Sequence, residues 1–224
     1  MQVRTIVILC GVVACGSGAD PFTENVDVAV CAPTAGPFTL AIDNPYFPLE
    51  VGTRLVLEDG DVRLEFTVLD DSETVAGVPT RVVEERETES GELVEVSRNF
   101  FAQAPDGTVC YFGEDVDIYE GGAIVSHAGE WRAGASGALP GILMPASPAT
   151  GMAFRQEVAP DVAEDRAVIE AAGETVTVPA GTFVSTIRFV ETTPLEPGAT
   201  SVKVFARDVG LIVDDALRLV SRTP

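Results

Sequence analysis

Four ionisable residues fall on one otherwise apolar face when the stretch 80–127 is laid out as antiparallel strands: Arg98, Glu114, His127 and one of Glu84 or Glu85. A guanidinium, two carboxylates and an imidazole on adjacent strands could do three kinds of work. Arg98 and Glu114 could close a structural ion pair, because charge on an apolar face is costly unless it is paired. The group could line a cavity and supply the polar contacts to a bound molecule. Alternatively, His127, the sole histidine, could act beside Glu114 in metal-assisted or acid-base hydrolysis.

Familiar catalytic patterns are missing. The chain has no GxSxG elbow, no Walker sequence, no strand-borne GxGxxG and no HExxH. Ser126 adjoins His127 but alternates to the opposite face of a strand, so the two cannot act together. Asp115, Asp117 and Glu120 outline a calcium loop, yet its sixth and twelfth places hold Glu120 and Ser126, where glycine and glutamate are needed. With 35 acidic residues in the chain, no single carboxylate pair stands out. No catalytic residue, metal site or cofactor is assigned.

The strands that position the four residues are set by turns. Pro105-Asp106-Gly107 suits a three-residue hairpin loop, which makes Ala104 face Thr108. Counting outward puts Ala102 opposite Cys110, Phe100 opposite Phe112, Arg98 opposite Glu114, Val96 opposite Val116 and Val94 opposite Ile118. The other face then carries Glu95, Ser97, Asn99, Asp115 and Asp117, which suits water. Gly121-Gly122 offers a two-residue turn that brings Val125 opposite Ile118 and His127 opposite Val116. Glu89-Ser90-Gly91 closes the preceding hairpin with a register fixed only to within one residue, hence Glu84 or Glu85.

Along the chain, residues 1–14 have the form of an export leader, with Arg4 before a short apolar run that ends in Val12-Val13-Ala14-Cys15. That ending resembles the bacterial lipobox and implies lipidation of Cys15 and location in the cell envelope outside the cytoplasm. Residues 15–37 are expected to form the lipidated cysteine and a tether, and 38–224 a single domain. The formal net charge of −21 opposes binding to nucleic acid or to anionic lipid surfaces, leaving the anchor as the membrane contact. Cys31 and Cys110 are the two cysteines left after the leader and Cys15, and an oxidising compartment could pair them.

Asp59-Gly60 marks a hairpin, and alternating runs continue to the C-terminus, with strands expected over 154–159, 165–172, 174–178, 183–193, 201–207, 211–213 and 217–221. The apolar stretch 139–145 is expected to pack over an open end of the sheet. Glu157, Glu164 and Asp165 read as a solvated acidic cluster. No segment shows helical periodicity over ten residues.

The motifs DNPYFPL (43–49), YFGEDVDIYEGG (111–122), LPGILMP (139–145), VTVPAGTF (176–183) and VGLIV (209–213) together resemble a family of uncharacterised exported bacterial proteins, many of them lipoproteins. The resemblance implies an all-β fold and carries no activity. Cys110 stands where that pattern has an aromatic residue, so the resemblance does not imply the disulfide. The expectation is one all-β domain of about ten to thirteen antiparallel strands, mainly a meander, folded as a curved sheet, half-barrel or sandwich. Its concave face would bind a small-molecule, apolar or lipid ligand through Arg98, Glu114, His127 and Glu84 or Glu85. The alternatives are the hydrolase above and a structural module with a filled face.

Overall fold

The computed structural model describes residues 22–224, so the expected leader and Cys15 lie outside the described residues. Among these, fourteen strands and no α-helix occur. The first five are β1 (Arg54–Asp59), β2 (Val62–Val75), β3 (Val78–Glu89), β4 (Glu92–Gln103) and β5 (Val109–Glu120). Four short ones follow: β6 (Ala123–Ser126), β7 (Trp131–Arg132), β8 (Gly141–Met144) and β9 (Ala153–Arg155). The last are β10 (Arg166–Val178), β11 (Gly181–Thr192), β12 (Ser201–Ala206), β13 (Gly210–Asp214) and β14 (Leu217–Thr223).

All belong to one antiparallel sheet in the order β6-β5-β4-β3-β2-β1-β14-β13-β12-β11-β10-β9, with β7 and β8 also pairing with β5. The sheet is curved and open. Its two ends approach at a single bridge between Leu139 and Val158. Next to it, Gly141 lies so close to the backbone of Gln156 that any side chain at 141 would collide with it.

The expected hairpin turns form. Ala104 N–H donates to Thr108 O at 2.8 Å, Glu120 pairs with Ala123, and Asp59 pairs with Val62. Ala102 faces Cys110 as counted from the sequence, but the pairing then slips by one residue. Tyr111 faces Phe101, whereas Glu114 faces Asn99, so Phe112 and Gly113 together oppose Phe100 alone. This is a β-bulge. Gly113 makes it feasible: its φ of 128° is one that side-chain-bearing residues avoid, and a Cβ there would run into the Trp131 carbonyl as β7 pairs alongside. Beyond the bulge every side chain of β5 points to the face opposite the one predicted. Arg98 therefore faces Asp115, not Glu114.

Both faces of this part of the sheet are buried. On the inner side an aromatic chain runs from Trp131 through Tyr111, Phe101, Phe47, Phe205 and Phe189 to Phe154, with ring centroids 4.8–6.2 Å apart. Each such contact adds about 0.5–1.5 kcal/mol beyond area burial. On the outer side Phe112 meets Phe38 edge-on, and Cys110 is bonded to Cys31. The segment 22–37 thus differs from the expected tether. Asn25 hydrogen-bonds across to Gly151 and Ala153, Cys31 is fully buried, and Thr39 bridges to Gln103.

Two other expectations change. Within the apolar stretch 139–145, Gly141–Met144 form strand β8, with Ile142 and Met144 fully buried, so the stretch is not a loop laid over the sheet. The expected strands 165–172 and 174–178 merge into one, β10 (Arg166–Val178), while only 154–155 of the expected strand 154–159 fall within a strand, β9. Asn44, from the DNPYFPL motif, serves as a staple. It donates to the carbonyls of Gly107 and Pro145 at 3.0 and 3.1 Å and accepts from Tyr46 N–H at 3.0 Å.

Because the disulfide joins residues 79 positions apart, replacing Cys31 and Cys110 together by Ala should cost about 3–5 kcal/mol of stability. Urea unfolding without reductant measures this. An unchanged midpoint would mean that the N-terminal segment holds its place through packing alone.

Candidate functional site

The bulge divides the residues singled out from the sequence between two faces. Glu84, Arg98 and His127 lie on the outside of the sheet, with Arg98 3.3 Å from Glu84 and 3.8 Å from Asp117. The pairing of β5 with β6 also slips, placing Ser126 opposite Ile118. His127 is largely exposed, its Nδ1 2.7 Å from the Val116 carbonyl oxygen and 3.1 Å from Asp117. Pairs this exposed contribute at most about 1 kcal/mol each. Asp115, once weighed as a calcium ligand, holds Arg132 through two contacts of 2.9 and 2.6 Å.

Glu114 and Glu85 face inward. There they join a cavity of about 80 Å³, room for several waters or a molecule of a few heavy atoms. Seven carboxylates line it: Glu85 from β3, Glu95 from β4, Glu114 from β5, Glu157 and Asp165 from the segment between β9 and β10, Glu191 from β11 and Asp214 from β13. One cation, Lys203 on β12, sits among them, and it is the only lysine in the chain. Phe47, Phe66, Phe101, Tyr111 and Phe205 supply apolar wall.

Strand register explains the arrangement at the lysine. Lys203 is directly opposite Asp214 on β13, while on β11 Glu191 faces Ser201, one step of two residues away on the same face. Lys203 Nζ donates to Glu191 Oε2 at 2.9 Å, Ser201 donates to the same oxygen at 3.0 Å, and Gln156 Nε2 donates to Oε1 at 2.8 Å. Burial pushes the Glu191 carboxyl up, but the Lys203 charge and these three donors together bring it below the usual range. Burial likewise depresses the Lys203 ammonium, and Glu191, Asp214 and Glu85 more than reverse that, holding it well above its ordinary value.

Lys203 also draws down Glu157, Glu85 and Asp165, without offsetting their burial. Asn99 donates to Ser97 Oγ at 3.1 Å, and Tyr111 O–H donates to Asn99 Oδ1 at 2.5 Å. Burial, reinforced by Glu95 and Glu85, lifts Glu114 well above the carboxylate range. Burial and the neighbouring Asp165 and Glu114 do the same to Glu157. Desolvation raises half-buried Glu85 and Asp165 to about 7 and Asp214 to about 6. Glu157 is 4% exposed, and its Oε2 has no hydrogen-bond partner among the described residues. Neither has Oε1 of Gln156, 5% exposed.

Glu95, Ser97 and Asn99, assigned to water in the sequence reading, are instead buried against the cavity. Glu157 and Asp165, read as a solvated cluster, also line it. The available signal was the alternation Glu95-x-Ser97-x-Asn99-x-Phe101, in which a polar face ends in a large aromatic. Among the described residues no group of three or more His, Cys, Asp or Glu converges in a way that could hold a metal ion. No family model matches the chain, and neither the curated proteins nor the solved structures contain a match.

Two outcomes follow from the charges. The raised carboxyls keep protons that an unfolded chain releases near pH 4, so their stabilisation is complete below that pH and is lost as pH rises through about 6–7 and beyond. Glu191 acts with the opposite sign, its contribution disappearing as pH falls through its lowered value. Thermal melts should therefore peak near pH 5 and drop towards pH 8; a midpoint rising over that interval would contradict the assignment. Lys203→Met leaves buried Glu191 without its counter-charge and should cost about 3–5 kcal/mol at pH 8, with a smaller loss at pH 5, as read by urea unfolding.

Proposed function

We propose that this protein is exported and lipid-anchored at Cys15, and that it binds a small cationic ligand in the acidic cavity of its curved sheet. One observation carries the reading: seven carboxylates surround a cavity that holds a single ammonium. Burying that much acid is costly, and Lys203 offsets it fully only at Glu191, the carboxylate it contacts. A positively charged guest at the other end would let Glu114 and Glu157 ionise and would accept hydrogen bonds from neither, donating instead to both. An apolar ligand would leave those groups as they are. The aromatic wall suits a cation as well as a hydrocarbon, since ring faces attract positive charge.

The hydrolase built on His127 and Glu114 loses its support, because the two lie on opposite faces of β5. A second reading uses the cavity alone. Glu114 and Glu157 are raised while Glu191 is lowered, and that separation of carboxyl groups is what acid-base hydrolysis requires.

Native mass spectrometry of the full chain, purified from an exporting host at pH 8, tests the proposal. The expected result is a retained small cation that is absent after denaturation and absent from the Glu114→Gln, Glu157→Gln double variant. A bare native mass, with the double variant at least as stable as the parent, contradicts it and favours a structural module. If the retained species proves to be a cleaved fragment of a supplied compound, the hydrolytic reading prevails.

A further inference from the structure

We infer that the guest is a protonated aliphatic amine whose ammonium sits beside Glu114 and Glu157 in the cavity, as that of Lys203 sits beside Glu191 and Asp214. The inference rests on the cationic reading above and narrows it to one chemical class.

The first argument is the internal precedent. Lys203 is an alkyl ammonium held by a carboxylate at 2.9 Å inside the same cavity, with Phe205 two residues along its own strand also in the wall. The cavity therefore already accommodates this chemical group in a folded chain. The second argument is the kind of group left over. Glu157 Oε2 and Gln156 Oε1 are both buried acceptors without a donor among the described residues, and both belong to residues lining the cavity. Orphaned acceptors call for a guest rich in N–H donors. An ammonium has three and no acceptor of its own, whereas a quaternary ammonium has none.

The third argument is spacing. The carboxylates come from six separate parts of the sheet and do not converge into a group of three able to hold a metal ion. A bare divalent cation needs six or more oxygens at short range, which this wall does not gather. An amine needs only two or three acceptors around its nitrogen, and its alkyl part can lie on the aromatic wall. The volume of about 80 Å³ restricts it to a short chain.

The test is isothermal titration calorimetry at pH 8 on the full chain, at matched ionic strength, with ethylammonium, 1,4-diaminobutane, tetramethylammonium and calcium chlorides. Ethylammonium or the diamine should bind saturably, and tetramethylammonium and calcium should not. Glu157→Gln, which keeps the shape of the side chain, should weaken amine binding about tenfold or more without lowering the melting temperature of the free protein, whereas Gln156→Leu should weaken binding and also destabilise the fold, because it removes the donor to Glu191. Binding of calcium or tetramethylammonium without binding of the amines overturns the amine assignment and leaves the cationic reading standing. Failure of every cation to bind, together with a bare native mass, overturns both.

Discussion

The interior of this protein depends on one ammonium. Lys203 is the only positive charge on a cavity wall that carries seven carboxylates, and Glu191 is the one among them that its charge and three hydrogen bonds hold below the ordinary range. The other shifted carboxyls, Glu114, Glu157, Asp165, Glu85 and Asp214, are all driven upward by burial. The sheet thus curves round a charge distribution in which one carboxylate is fully compensated and the other shifted ones are not. Its folding stability rests on this imbalance, and the cation binding proposed for it draws on the same one.

How that face came to be inside is a matter of one residue. The hairpin at 105–107 fixes Ala102 against Cys110, and an uninterrupted ladder would then send Glu114 to the outer side with Arg98. The bulge at Phe112 and Gly113 reverses this, sending Glu114 in and leaving Arg98 on a solvent-exposed ion-pair ladder. A bulge adds one residue to one strand, so it inverts everything beyond it while leaving the alternation itself intact. Gly113, pressed against the Trp131 carbonyl, is both its cause and its mark.

That explains what could be read in the chain and what could not. The all-β class, the turns at 60, 90, 107 and 121, and the meander from β1 to β6 follow from local chemistry, because turn residues and alternation act over a few positions. The strand count came out one above the expected range, since β7 has only two residues and owes its existence to β5. The site was legible only in part. Glu114 and Glu85 were among the candidates, but Glu157, Asp165, Glu191, Lys203 and Asp214 were not. They meet only because the sheet curls until 139–158 joins its two ends, a contact that no local pattern encodes. Polar alternation also means the same thing locally whether the face meets water or a cavity, so only the aromatic at Phe101 marked the face of Glu95, Ser97 and Asn99 as buried.

The cavity holds carboxyls that release their protons well above the ordinary carboxylate range. The most direct measurement is a carbon-13 NMR titration of the Glu and Asp carboxyls from pH 4 to 9, with Glu114→Gln and Glu157→Gln used for assignment. The predicted result is that these two carboxyls titrate well above the ordinary carboxylate range, that at least one more titrates near 7, and that Glu191 titrates below that range. If every carboxyl is ionised by pH 5, the cavity is hydrated and uncoupled, and both the buried acid wall and the cation site built on it are wrong.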